Sequence, residues 1–437
     1  MTDTTAARAF VRREMLPPQA PPPSQTGAIR WLRENLFSGP LNTVLTILGL
    51  SATAWIVIHL YPWLAHSVWN ANSLSECRQI IQATWGEDAT GACWAVIRER
   101  WPQFLFGFYP SHLYGRALLA LVLLFAALAP VLFAGLPRRM LWLSAAYPAL
   151  GYWLLWGGSF WYPAMLMAGF AVAALAWRAL SARGALVAMP AAVAAALVWW
   201  FWLAGPVTAG LDAALPLAIE AVRSDKFGGF ILAVTIGVAA ISLSLPLGIM
   251  LALGRKSDMF LVKALSVCFI EFIRGVPLIT LLFVASLLLN YFLPPGSNFD
   301  IILRVVIMVT IFAAAYIAEV IRGGLAALPR GQYEAADSLG LTYWQAQQLI
   351  ILPQALKISI PGIVSTFIGL FKDTTLVVFV GLLDPLKGIT DAVRATIEWK
   401  GIYWEPYIFV GAIFFAFNFG MSRYSMYLER KLKRDHR

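Results

Sequence analysis

The sequence predicts an all-α polytopic membrane protein with about ten transmembrane helices, and three observations predict it. Of its 437 residues 60% are apolar and only 13% charged, where a soluble domain carries about a quarter of its residues charged. Mean hydropathy is +0.71, and apolar runs long enough to cross a bilayer recur along the chain. Finally, the formal net charge of +10 lies between those runs and at the two ends. That distribution follows the positive-inside rule, so membrane lipid and not nucleic acid is the expected partner.

Residues 1–40 are polar, with Arg8, Arg12, Arg13, Arg30 and Arg33 and the stretch Pro17-Pro18-Gln19-Ala20-Pro21-Pro22-Pro23. A signal peptide would have an apolar core near its start, so this is expected to be a cytoplasmic tail, disordered or polyproline in character. Ile29, Trp31, Leu32, Leu36 and Phe37 then alternate with Arg30, Arg33 and Glu34, a spacing that predicts an amphipathic helix at the membrane surface.

Crossing the hydrocarbon takes about 20 apolar residues. Runs of that kind lie near 41–61, 117–136, 140–157, 159–177, 186–205, 228–254, 276–293, 301–321, 359–381 and 406–428. Only Gly157-Gly158 separates the third from the fourth, so a tight hairpin is required there. With the N-terminus inside, Arg138-Arg139, Arg178 with Arg183, Arg255-Lys256 and the tail 429–437 all fall on the inner side. Both basic ends are then cytoplasmic. Segment 62–116 and the loop near 382–405 fall outside, and the latter fits less well because it carries Lys387, Arg394 and Lys400.

Cys77 and Cys93 lie in the outer segment 62–116, where they either close a disulfide, worth about 3 kcal/mol for a loop of that size, or stay as free thiols. Cys268 reads as a packing residue. No cysteine spacing fits a metal site.

Residues 117–210 carry almost no charge, as expected of spans that pack and face lipid. From 228 onward, charges return inside or beside spans, where they usually mark a pathway or a network. Glu271 with Arg274 and Glu319 with Arg322 sit at i, i+3, a spacing suited to salt bridges. Both pairs lie near the inner edge, where a charge network or gate is the stronger reading. Lys372-Asp373, followed by Thr374 and Thr375, falls in the ninth run. It either contacts a zwitterionic substrate or pairs with neighbouring helices. Pro246, Gly248, Gly275 and Pro277 are candidate bends or packing sites.

The inner loop between the eighth and ninth runs, about 329–353, holds the most informative pattern. Tyr333 to Leu339 favour helix, Gly340 suits its left-handed end, and Thr342 with Gln345 forms a capping box for another. Pro353 is expected to interrupt before the next span. Tyr333, Leu339, Leu341, Tyr343 and Trp344 are many apolar residues for a wetted loop, so a partner surface is expected.

Glu334-Ala335-Ala336, Gly340, Ile350, Leu352 and Pro353 reproduce the spacing of the EAA loop, and the chain here resembles bacterial ABC importer permeases. Phe272-Ile273-Arg274-Gly275-Val276-Pro277-Leu278 looks like the family's segment before its second core helix, and Ala315 to Gly323, Leu352 to Leu356 and Leu370 to Leu376 are similar to the polar amino-acid subfamily. The resemblance covers about 228–428, which it identifies with the family's C-terminal five-helix core. Residues 41–227 look like the accessory helices of the general L-amino acid type, with Gly91 to Arg98 a weaker likeness.

The resemblance implies a subunit of the bacterial inner membrane, in a heterodimer with a second related permease. It also implies two cytoplasmic ATPase subunits that bind ATP and Mg, and a periplasmic amino-acid-binding protein. Glu334, Ala335, Ala336, Gly340, Leu341 and Tyr343 would couple this chain to the ATPase. The substrates would be polar L-amino acids, acidic ones and their amides foremost. No cofactor is expected in this chain and it is not expected to be an enzyme. A P-loop is missing, and His59, His66, His112 and His436 are scattered without an H-E-x-x-H pattern. The alternative, an ion-driven secondary transporter, often shows inverted repeats, and the two halves here are not convincingly similar.

Overall fold

The computed structural model describes residues 27–288, 291 and 300–434. The proline stretch, the first three arginines and His436 lie outside the described residues. By contacts the chain divides into two compact units, one reaching to Val68 and including Glu76–Ala92, the other holding Trp69–Ser75 and everything from Cys93.

In the first unit, α1 (Gly27–Asn35) is the expected amphipathic helix, with Arg30 and Glu34 paired at 2.8 Å. The first span is α2 (Pro40–Ala65), opened by a proline that lacks the N–H a helix start leaves unused. It is apolar on all sides and none of its residues is buried. α3 covers Leu74–Trp85. Cys77 and Cys93 are each disulfide-bonded and each buried, and Cys268 is free.

The accessory helices of the second unit are α4 (Ala95–Phe106), α5 (Tyr114–Leu132), α6 (Leu141–Trp156), α7 (Trp161–Leu180), α8 (Ala185–Val198) and α9 (Ala204–Ala214). A π-turn, Trp199–Leu203, joins the last two. The tight hairpin between α6 and α7 depends on Gly157 and Gly158, at φ of 75° and 76°. A Cβ on Gly157 would lie 2.0 Å from the Glu220 carbonyl oxygen. The turn rests on a short antiparallel pair, β1 (Gly158–Ser159) with β2 (Ala218–Ile219).

The core begins with α10 (Gly229–Arg255), α11 (Phe260–Gly275) and α12 (Leu278–Phe283), the last running into a π-turn, Val284–Leu288. α13 (Ile301–Ala326) follows, started by Asp300, whose carboxylate accepts from the Ile302 and Leu303 amides. Two short helices, α14 (Arg330–Ser338) and α15 (Tyr343–Ala346), precede a π-turn at Gln347–Ile351. α16 (Leu352–Asp373), a 3-10 stretch Thr374–Val380, α17 (Pro385–Ala395) and α18 (Trp404–Arg434) complete the chain.

Among the described residues, seven helices are long and apolar enough to cross a membrane, or eight counting one bent pair. The two other expected runs are helices as well. α6 has 16 residues, short for a span, and the 31 residues of α18 include Asn418 and Arg423, which dilute its hydropathy. The seventh run is preceded by a helix that the apolar runs do not include: α11 and the helix from Leu278 meet at 102°. Val276 is extended and Pro277 follows it, which ends the helix at Gly275. Pro353, expected to interrupt, instead lies directly after the π-turn Gln347–Ile351, and the helical run continues through it from Tyr343 to Val380. Pro246 lies inside unbroken α10. A Cβ on Gly248 would come within 2.7 Å of the Ile317 side chain, so that glycine allows α10 and α13 to approach.

Residues of α10 and α13, among them Ile236, Ala240, Val305, Val309 and Ala313, form the centre of the main core cluster. The segments expected outside meet one another. Trp399, fully buried, donates its indole N–H to Glu99 at 2.9 Å, and Glu405 accepts from the Cys93 amide at 2.8 Å. Gly228 bridges Leu383 and Phe227 bridges Gly107, so the accessory half is joined to the start of α10 through backbone pairs.

Candidate functional site

The EAA-like segment is built by local chemistry. α14 ends in a Schellman turn: the Leu341 amide donates to the Ala336 carbonyl at 3.3 Å and the Gly340 amide to Asp337 at 2.9 Å. That turn needs a left-handed residue, and Gly340 has φ 68°. The next helix opens on the expected capping box, with the Thr342 amide donating to Gln345 Oε1 at 2.9 Å and the Gln345 amide to Thr342 Oγ1 at 3.4 Å.

Glu334 and Ala335 face solvent, but Ala336 is only 1% exposed. Successive residues turn by about 100° on a helix, so the two alanines do not share a face. Ala336 packs into its own chain and offers no surface to a partner. Leu341 is half-buried, whereas Leu339, Tyr343, Trp344 and Leu349 are exposed. Four large exposed apolar side chains thus follow Glu334 within 15 positions of the chain, a density typical of a contact surface.

Side-chain contacts, among them two polar ones to α16 and α10, hold α14 to the spans. Gln354 Nε2 donates to Gln332 Oε1 at 2.9 Å. Lys256, just past the end of α10, donates to the Tyr333 hydroxyl at 2.5 Å and lies 4.2 Å from the ring centroid.

The paired charges form one network. Glu319 Oε1 accepts from Arg322 at 2.6 Å, while Arg274 lies 3.9 Å from Glu271 and 3.8 Å from Glu319. Arg255 completes it, 2.6 Å from Glu271 and 3.5 Å from Glu319. Three arginines and two glutamates therefore link α10, α11 and α13. Arg255 counted in the sequence only toward sidedness. Its partners are 16 and 64 positions away, outside any helical spacing, though its place at the end of a span was a usable signal. Arg274 also lies over the Tyr316 ring, 5.6 Å from its centroid.

Lys372 and Asp373 stand at the end of α16, where the helix tightens into the 3-10 stretch. Lys372 is exposed and Asp373 half-buried, and neither has an ion-pair partner among the described residues. Pairing with neighbouring helices, one of the two expected alternatives, is therefore not seen among these residues. The Thr374 and Thr375 hydroxyls donate to the carbonyls of Phe371 and Lys372 at 2.7 and 2.9 Å. Thr374 is fully buried, so it supports the turn and does not line a surface.

Residues 244–434 match the family described as "Binding-protein-dependent transport system inner membrane component". Over the full length of both chains the protein is 67% identical to the "Glutamate/glutamine/aspartate/asparagine transport system permease protein BztC" of Rhodobacter capsulatus. It is 37% identical to the "Inner membrane amino-acid ABC transporter permease protein YhdY" of Escherichia coli, over 95% of this chain and 96% of that one. A solved "amino acid ABC transporter with histidines" is 32% identical over 46% of this chain and 91% of its own, with a TM-score of 0.41.

Proposed function

The chain belongs to the inner-membrane permease subunits of amino-acid ABC transporters, and from that premise we propose that it imports glutamate, glutamine, aspartate and asparagine. It is a multi-pass protein that does not itself hydrolyse ATP. Its family works with ATPase and binding-protein partners. In this reading the chain pairs with a second related permease and with two ATPase subunits, which hold ATP and Mg, and both its termini are cytoplasmic. A periplasmic binding protein delivers the amino acid.

One observation carries the coupling role: α14 and α15 expose Glu334, Ala335, Leu339, Tyr343 and Trp344 around a turn fixed by Gly340. The apolar residues would enter a groove of the ATPase, and Glu334 would meet polar groups at its edge. ATP binding favours one conformer of the complex over another only through contacts that differ between them, and this surface supplies such contacts. The network of Glu271, Arg274, Glu319 and Arg322 with Arg255 would act as the inner gate. Separating α11 from α13 exchanges its internal ion pairs for water. Lys372 and Asp373 offer both signs of charge to a zwitterion at the far end of α16.

The test is uptake of radiolabelled glutamate and glutamine, together with ATP hydrolysis, by the whole complex in proteoliposomes. Glu334→Ala and Leu339→Asp should lower uptake at least tenfold, the scale of a lost 1.4 kcal/mol contact. Wild-type uptake and wild-type substrate-stimulated hydrolysis in both variants would refute the coupling role. Uptake that persists without hydrolysable ATP and follows an ion gradient would refute the wider reading.

A further inference from the structure

The contacts at the end of α10 reach partners 16, 64 and 77 positions further along the sequence. Arg255 and Lys256 are consecutive. Arg255 enters the charge network through Glu271 at 2.6 Å and Glu319 at 3.5 Å. Lys256 turns to the other side and reaches Tyr333, one residue before Glu334, through both hydroxyl and ring. The Tyr333 hydroxyl also lies 3.5 Å from the Leu325 carbonyl, near the end of α13. Lys256 caps α10 as well, its amide bonded to the Ala252 and Leu253 carbonyls, so its backbone moves with the helix.

We propose that Lys256 is a positioning residue that links the ATPase-facing helix α14 to the three-arginine network, so that displacement of α14 pulls on Arg255. This inference rests on the coupling role assigned to α14.

Three features support a relay over a surface contact without consequence. A cation that both donates to a phenol and lies near its ring is held at two points, unlike an isolated exposed ion pair. Tyr333 is half-buried and belongs to the packing around Ile317, Ile321 and Leu325, so it cannot swing freely. And Arg255 and Lys256 are neighbours, so a single peptide unit separates the backbones that carry the two contacts. By contrast, the Gln332–Gln354 bond ties α14 to α16, the helix that carries Lys372 and Asp373. The two contacts therefore divide the motion of α14 between the gate and the far end of the pathway.

The experiment uses the assembled transporter in proteoliposomes, with glutamate uptake and phosphate release measured together, and Glu334→Ala in parallel. Lys256→Met should retain the ATPase subunits on purification and hydrolyse ATP, but move about three- to tenfold less glutamate per ATP, because the linkage to Arg255 is lost. Lys256→Arg, which keeps the cation, should stay within about twofold of wild type. Tyr333→Phe, milder for the fold, should lower the ratio in the same direction. Combined with Lys256→Met it should do no further harm, as expected of a shared contact. Wild-type stoichiometry in Lys256→Met overturns the relay, as do additive losses in the double variant or loss of the ATPase subunits. If Glu334→Ala uncouples while Lys256→Met does not, the relay fails and the coupling role stands. If neither uncouples, both fall.

Discussion

Asp384 offers a pH test of the segment between α16 and α18. It is 1% exposed, it starts α17, and its carboxylate accepts from the Leu386 and Lys387 amides at 3.0 and 2.9 Å. Burial pushes its pKa up to about 6, against the lowering effect of those two amides and of the Lys387 charge, with Asp391 adding a small upward push. The unfolded chain releases this proton near pH 4. Between about pH 4 and 6 the folded protein therefore holds more protons than the unfolded one, and stability falls as pH rises through that window and is level above it. This is the reverse of a salt-bridged aspartate. Two units correspond to about 3 kcal/mol in all, and roughly 2 kcal/mol of that lies between pH 4.5 and 7.5.

Asp384→Asn keeps an oxygen for the helix start and removes the charge. One amide bond is lost at every pH, so the variant begins about 1 kcal/mol behind. At pH 4.5 it should be the less stable protein, and by pH 7.5 it should have gained about 2 kcal/mol relative to wild type. At about 2–4 °C per kcal/mol for a chain of this size, the difference in melting temperature should move by roughly 4–8 °C across the series. Tryptophan fluorescence in detergent, scanned at half-unit pH steps, reads it directly. A difference that stays constant from pH 4.5 to 7.5 would mean that the carboxylate is ionised in the folded protein throughout, and would refute the burial argument.

Other substitutions test the frame around the site. A Cβ on Gly324 would lie 2.6 Å from the Ala355 carbonyl oxygen, so Gly324→Ala must part α13 from α16 and should cost about 1–3 kcal/mol, read as a lower melting temperature. Gly340→Asn should leave the turn intact, because asparagine tolerates the left-handed region. Gly340→Val should destabilise it by about 1–2 kcal/mol and speed amide exchange across 329–353. Trp399→Phe loses the bond to Glu99 and part of a filled site, and should lower stability by roughly 1–3 kcal/mol, read as a lower melting temperature.

The helical class, a helix in each apolar run and the two helix ends around Gly340 were legible because each rests on local chemistry. Apolar length fixes a membrane helix, and Gly340 with the Thr342–Gln345 pair fixes two helix ends within five residues. What escaped was set by distance in the chain or by geometry finer than composition. Arg255 finds its partners on two other helices. Ala336 shares a motif with Ala335 but not a face. Gly248 and Pro246 look alike as possible bends, and only the nearness of Ile317 shows that the glycine serves packing. Pro353 reads as an interruption because proline usually ends helices, yet the helical run continues through it beside a π-turn. The 102° break at Val276-Pro277 was named as a possible bend, but the helix preceding it, α11, was hidden in a charged stretch that hydropathy alone passes over.

Rigid and yielding parts alternate along the path from α14 into the bundle. Between α13 and α16 the contact is made by small residues: Gly324 against Ala355 and Ser359, Gly362 against Val320, with the Ser359 hydroxyl donating to the Val320 carbonyl at 3.3 Å. Helices that approach this closely have little freedom to slide. The looser links are the π-turns at Gln347–Ile351 and Val284–Leu288 and the break between α11 and α12. A π-turn widens the helix and frees backbone groups, so rotation there costs less than in a regular segment. A push on Glu334 and its apolar neighbours would therefore leave α13 and α16 moving as one body. The strain would fall on the turn beneath α15 and on the joint beside Arg274. That joint lies within the charge network, so the site best able to bend is also the site where five charges must rearrange.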